Sequence, residues 1–199
     1  MMRTIALIHF MFAIISHNTE AQSLESEFET AVFDYSKDVK WQKASAKDIS
    51  IFDSFIGRFR SKSRFSENLK KNIHFILEYQ WFDSQKTTVK LRLSYIIEET
   101  GKETVHSEGF YGFDPTMSRL YLMQTYASGV ISFGGLEEFD IKTGRRLVRA
   151  RSVNQQGNLN HVKDEFEVVD KDTWKNKMYS LEDDEWKVTY EDTFTRIKD

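Results

Sequence analysis

The chain has 199 residues, 40% of them hydrophobic and 14% aromatic, and a formal net charge of −3. That length suits one domain with a substantial core, and the apolar share excludes a disordered chain even though 30% of the residues are charged. Both signs of charge are mixed along the sequence, so neither a nucleic-acid footprint nor a strongly acidic partner is indicated.

The opening "MMRTIALIHFMFAIISHNTEAQS" sets Arg3 before a mostly apolar run from Thr4 to Ser16, then Thr19-Glu20-Ala21. A basic residue, a short apolar run and small residues flanking one position are the parts of a secretory leader, so residues 1–21 are expected to be a signal peptide cleaved after Ala21. The run is too short to span a hydrocarbon layer about 30 Å thick, and no permanent membrane anchor is expected. A leader of this kind suggests a bacterial protein exported to the periplasm or beyond. Cys is absent, so neither a lipidated cysteine nor a disulfide is available, and stability has to come from packing.

Residues 22–56 read as a helical arm or plug. Phe28, Val32, Tyr35 and Val39 recur at helical spacing. Ser45-x-x-Asp48 is a capping-box pattern ahead of Ile49, Phe52 and Phe55, which predicts a short helix through "KDISIFDSFI" that Gly57 ends. From Gly57 the period changes to two. Ile73, Phe75, Leu77, Tyr79 and Trp81 alternate, as do Val89, Leu91, Leu93, Tyr95 and Ile97 against Lys90, Arg92, Ser94 and Glu98. "GRFRSKSRF", "TVHSEGFYGF", "SRLYLMQTYA", "VISFGGLEEF", "RLVRARSV", "HVKDEFEVV", "TWKNKMYSL" and "EWKVTYEDTFTRI" bring the strands to about ten, separated by turn signals such as "ETGKE", "FDPT", "KTGR" and "EDD". "FGGLEEF" reads as a bulge or bend within its strand. No segment between strands is long enough for a crossover helix, so neighbours are antiparallel. A meander of this length closes or exposes long edges, and the predicted fold over 57–199 is all-β: a closed or nearly closed antiparallel up-and-down barrel.

The short helix followed by "FIGRF" resembles the calycins, the superfamily of lipocalins and fatty-acid-binding proteins. Lipocalins enter their first strand with Gly-x-Trp, and an Arg from the last strand packs across the Trp. Gly57 and Phe59 fit that pattern with Phe in place of Trp, and the resemblance implies that Arg196 of "FTRIKD" is the partner that closes the barrel. "GFYGFDPTMSRLYLMQTYASG" and "DTFTRI" also resemble a family of small exported bacterial proteins of unknown function, which brings no activity with it. The helices precede the first strand and the last motif is Phe194-Thr195-Arg196, unlike the fatty-acid-binding proteins, so fatty acid is not carried over as a ligand. Haem-binding barrels of the nitrobindin type open with a Gly-Trp-rich stretch that "GRFRSKS" lacks.

No nucleophile elbow, phosphate loop or dinucleotide fingerprint occurs. His74, His106 and His161 have no metal-ligand spacing, and surface or hydrogen-bonded histidines are expected; no cofactor or metal is indicated. Alternation places Tyr79, Trp81, Tyr95, Gln124, Tyr126, Asp164, Trp174, Asn176, Trp186, Tyr190 and Asp192 on the inner face. An apolar face carrying a few polar groups suits a small apolar or amphipathic ligand, and it equally suits a packed barrel with a satisfied polar network. The packed alternative makes the protein an interaction module, and a convergence of Asp164 with Asp192 would allow acid–base chemistry without a cofactor. Asp192 has no evident structural partner. One bulge would invert every face assignment beyond it.

Overall fold

The computed structural model describes residues 39–198. The leader expected over 1–21 and the helix expected from Phe28 lie outside the described residues. Residues 40–199 form one compact unit.

A 3-10 helix, Ala46–Phe55, comes first. The Asp48 carboxylate accepts hydrogen bonds from the Ser45 N–H and hydroxyl, each 2.7 Å, which orders the helix start as the Ser-x-x-Asp pattern predicts. Ile49, Phe52 and Phe55 are buried. Their spacing of three residues puts them on one ridge of a 3-10 helix, whose turn is three residues.

Eleven strands follow: β1 Gly57–Ser61, β2 Arg64–Ser66, β3 Lys71–Trp81, β4 Thr88–Ile97, β5 Glu103–Asp114, β6 Arg119–Tyr126, β7 Ile131–Phe139, β8 Arg146–Val153, β9 Leu159–Asp170, β10 Thr173–Glu182 and β11 Glu185–Arg196. Each of β3 to β11 pairs antiparallel with its neighbour in sequence, and β1 pairs with both β3 and β11. The ring therefore closes with ten strands into an antiparallel barrel, as the meander requires. The stretch read as one first strand is broken at Lys62–Ser63, and β2 continues along the same edge of β3. The β10–β11 turn is a two-residue hairpin with Asp183 and Asp184 at φ 52 and 62, which matches the right-handed twist of the strands it joins.

The closure follows the resemblance. Phe59 lies opposite Arg196 on β11, and the Arg196 guanidinium stacks 4.4 Å from the Phe59 ring centroid. Arg196 also donates to the Ile56 and Ser54 carbonyls at 2.6 and 2.8 Å and pairs with Asp172 at 3.3 Å. Gly57 has φ +129, and a Cβ there would sit 2.5 Å from Arg196 Nη1, so only glycine fits.

The core is concentrated at the end that the helix covers. Phe52, Phe55, Phe59, Trp174, Phe194, Leu120, Leu136 and Val148 are buried there. Trp174 stacks on Phe194 at 4.6 Å and meets Phe55, Phe59 and Phe166 at 5.5 to 5.6 Å. Arg146 is 0% exposed in the same layer. Its guanidinium lies 3.6 Å from the Phe55 ring centroid and 4.2 Å from that of Phe166.

Candidate functional site

Away from the helix the barrel holds a cavity of about 180 Å³. Phe75 and Leu77 of β3, Leu91 and Leu93 of β4, Phe166 of β9, Met178 of β10 and Phe194 of β11 form its apolar wall. Tyr79, Tyr111, Gln124, Tyr126, His106, Asp164, Asn176 and Tyr190 supply the polar groups. Alternation places most of them there, because every second residue of a barrel strand points inward.

Asp164 is the carboxylate of this cavity. It sits between Val148 and Met178 on the adjacent strands and keeps some accessible surface only because it faces the open space. Asn176 Nδ2 donates to its Oδ1 at 3.4 Å and to the Glu165 carbonyl at 3.3 Å. Burial pushes the Asp164 pKa up to about 6, and the Asn176 hydrogen bond and the charge of Arg146 pull against that without reversing it. At one side of the cavity, the Tyr79 hydroxyl accepts a 3.0 Å hydrogen bond from Arg146 Nη2 and is hydrogen-bonded to Tyr111. Burial raises both phenols, Tyr111 strongly, so they stay protonated. Arg146 does not line the cavity, and its Nε and Nη1 have no hydrogen-bond partner among the described residues.

On the β5–β6 side, Gln124 donates to Ser107 at 2.7 Å, and the His106 and Tyr126 rings meet edge to face at 5.5 Å. Burial lifts Tyr126 to about 12 and holds the His106 imidazole below its ordinary range, so both are neutral at pH 7. His106 reaches the cavity because the β4–β5 register slips between Leu93 and Ser94, which leaves His106 as the extra residue of a bulge on β5.

Tyr79, Gln124, Tyr126, Asp164, Asn176 and Tyr190 are thus brought together as alternation predicts. Trp174 faces inward too, but it fills the closed end. Trp81 is half-buried against the core and carries Lys86 5.5 Å from its ring, and Tyr95 is half-buried opposite Phe75 and Thr104; neither lines the cavity. Trp186 lies on the outer face, which corrects its assignment. The β10–β11 register slips between Met178 and Tyr179, so Thr189 is a bulge and the residues before it change sides. Val188 is consequently 53% exposed, and Lys163 and Arg149 stand 4.3 and 5.4 Å from the Trp186 ring.

Asp192 also departs from expectation, since it has a partner after all. Pairing between β1 and β11 ends at Ser61 and Phe194, and Arg64 then reaches across the gap to Asp192 Oδ2 at 3.0 Å and to the Glu191 carbonyl at 3.3 Å. Tyr190 donates to the same carboxylate at 3.1 Å, and the Asp192 side chain is only 7% exposed. Asp192 does not line the cavity, so it does not converge there with Asp164 as an acid–base pair. Sequence reasoning passed over Arg146 and Tyr111 and read His106 as a surface or hydrogen-bonded histidine. Only Arg146 left a signal, as an arginine in phase with the buried Val148 and Ala150. His74 is on the outer face as expected, 2.8 Å from Glu98.

No protein-family model matches the chain, and no curated protein matches it. A solved structure described as "Structure of EF1p2_mFAP2b bound to DFHBI" is similar with a TM-score of 0.34 and 10% sequence identity, over 75% of this chain and 98% of that one. A likeness at that distance says nothing about a ligand, and the site stands on its own geometry.

Proposed function

We propose that the protein is an exported binding protein that holds a small amphipathic molecule inside its barrel. The observation that carries this reading is the cavity of about 180 Å³, walled by Leu and Phe side chains and supplied with convergent hydroxyl, amide and carboxylate groups. An apolar cavity of about 150 Å³ in another protein takes up a benzene ring, so this volume suits a ligand of one ring or a short chain. Export rests on the leader read at residues 1–21.

Native mass spectrometry of protein purified from its own host should find a co-purifying small molecule, and a hydrophobic dye should enter the cavity. Leu93→Trp, which fills the cavity from its wall, should abolish dye uptake while the variant still unfolds in one cooperative transition. A wild-type protein with no bound species and no dye uptake sinks the reading. N-terminal sequencing of the mature protein should begin at Gln22, and a chain that retains residues 1–21 refutes export by that leader.

A further inference from the structure

Taking the cavity as a ligand site, we propose that its ligand is an organic amine, bound as the ammonium ion with Asp164 as counter-charge and its apolar body against Leu91, Leu93 and Phe75.

The charges that face the cavity decide this. Of its lining residues only Asp164 and His106 change charge near neutral pH, and His106 is held neutral there by burial. Among the described residues, Arg146 and Arg64 are cations that stand close by, and both are behind rings. Arg146 lies beyond Tyr79 and Phe166, with its guanidinium against Phe55. Arg64 lies over the Tyr190 ring at 4.4 Å and over Phe75 at 5.6 Å, and Asp192 holds it at 3.0 Å. Neither cation is among the lining groups, so the described residues present one negative charge and no positive one to the open space. An anionic head group would meet Asp164 with no facing cation to offset the repulsion, and a neutral ligand would leave the carboxylate with only Arg146, set back behind Tyr79 and Phe166, as counter-charge.

The surroundings of Asp164 suit a cation further. Among the described residues no Lys, Arg or His stands within salt-bridge distance of Asp164, and its hydrogen bond from Asn176 is long at 3.4 Å. Tyr79, Tyr111, Tyr126 and Tyr190 all line the same cavity, and the charge of Asp164 acts on all four phenols. A carboxylate among aromatic rings offers an ammonium group both an ionic partner and ring faces, the combination that recognises organic cations. Burial, the Asn176 side chain on β10 and the charge of Arg146 on β8 act on Asp164, and Asp164 in turn acts on Tyr79 on β3, Tyr111 on β5, Tyr126 on β6 and Tyr190 on β11.

Calorimetric titration of the full mature chain with 2-phenylethylamine and with its neutral counterpart 2-phenylethanol, at pH 7.5, tests the assignment. Wild-type protein should bind the amine about 10- to 100-fold more tightly than the alcohol, the range for a charge-assisted hydrogen bond in a desolvated site. Asp164→Asn, which keeps the side-chain shape, should lose that preference and still bind the alcohol. Equal affinities in the wild type, or a preference that survives in Asp164→Asn, overturn the amine assignment and leave the cavity as a ligand site. If neither compound binds and no hydrophobic dye enters, the cavity reading fails and the amine assignment fails with it.

Discussion

The two ends of this barrel are built from the same alternating strands and solve opposite problems. At the helix-covered end the inward positions carry Phe59, Trp174, Phe194 and Leu136, and Phe52 and Phe55 descend from the 3-10 helix to fill what remains. Further along the same strands the inward positions carry Leu77, Asn176, Asp164 and Tyr190, and no residue of the helix lines the cavity they face. The difference shows that a ten-strand ring is too wide for its own side chains to fill along its whole length. One end is completed by an inserted helix, and the other keeps space and polarity. Even the buried ionic groups divide this way. Arg146 is packed face-on between rings at the filled end, whereas Asp164 looks into the space.

That contrast can be broken at three places. Phe55→Ala removes a ring on which both Arg146 and Trp174 rest, and it should destabilise the protein by about 3 to 5 kcal/mol, the usual range for a fully buried Phe. Urea unfolding measures this, and a loss below about 1 kcal/mol would show that the helix is not the plug. Asp164→Asn should act in the other direction. The Asp164 pKa is about 6 in the fold against about 3.9 in an unfolded chain, so its ionisation weakens the folded state as pH rises from about 4 through 6. The Asn variant should then be more stable than wild type by roughly 1 to 3 kcal/mol at pH 7.5, and the two should converge below about pH 4. A variant less stable than wild type at pH 7.5 would place Asp164 among the groups that hold the barrel together. Asp192→Asn should cost about 1 kcal/mol, because its partner Arg64 remains partly solvated. Dye uptake should be unchanged in that variant; its loss at constant stability would move Asp192 into the site.

Most of the scaffold was legible in the sequence. Period-two alternation and turn residues located the strands, and the triplet spacing of Ile49, Phe52 and Phe55 located the helix. The Gly57, Phe59 and Arg196 positions identified the closure, whose stacking distance is 4.4 Å. The candidate site was legible only where alternation ran unbroken, at Tyr79, Gln124, Tyr126, Asp164, Asn176 and Tyr190. Two bulges defeated it elsewhere. The one at His106 turned an apparent surface histidine inward, and the one at Thr189 turned Trp186 outward. A bulge is one residue of extra length that hydrophobic pattern alone does not mark. Tyr111 was hidden because "GFYGF" puts aromatics on both faces. The Asp192–Arg64 pair joins residues 128 positions apart, at a gap created by the break after β1, and nothing local to either residue announces it.

The way the ring closes also bears on how the chain reaches its fold. From β3 onward every strand pairs with the one just before it, so these contacts form between nearby segments at small loop-closure entropy. The seam is different: Arg196 reaches the Ile56 carbonyl across 140 positions, and β11 meets β1 over only three residue pairs. Until that seam zips, β1 and β11 each present an unpaired edge, the kind of surface that recruits strands from other chains. Pairing of that short seam, held by Arg196, is therefore the step that removes both edges and ends the exposure to edge-to-edge association.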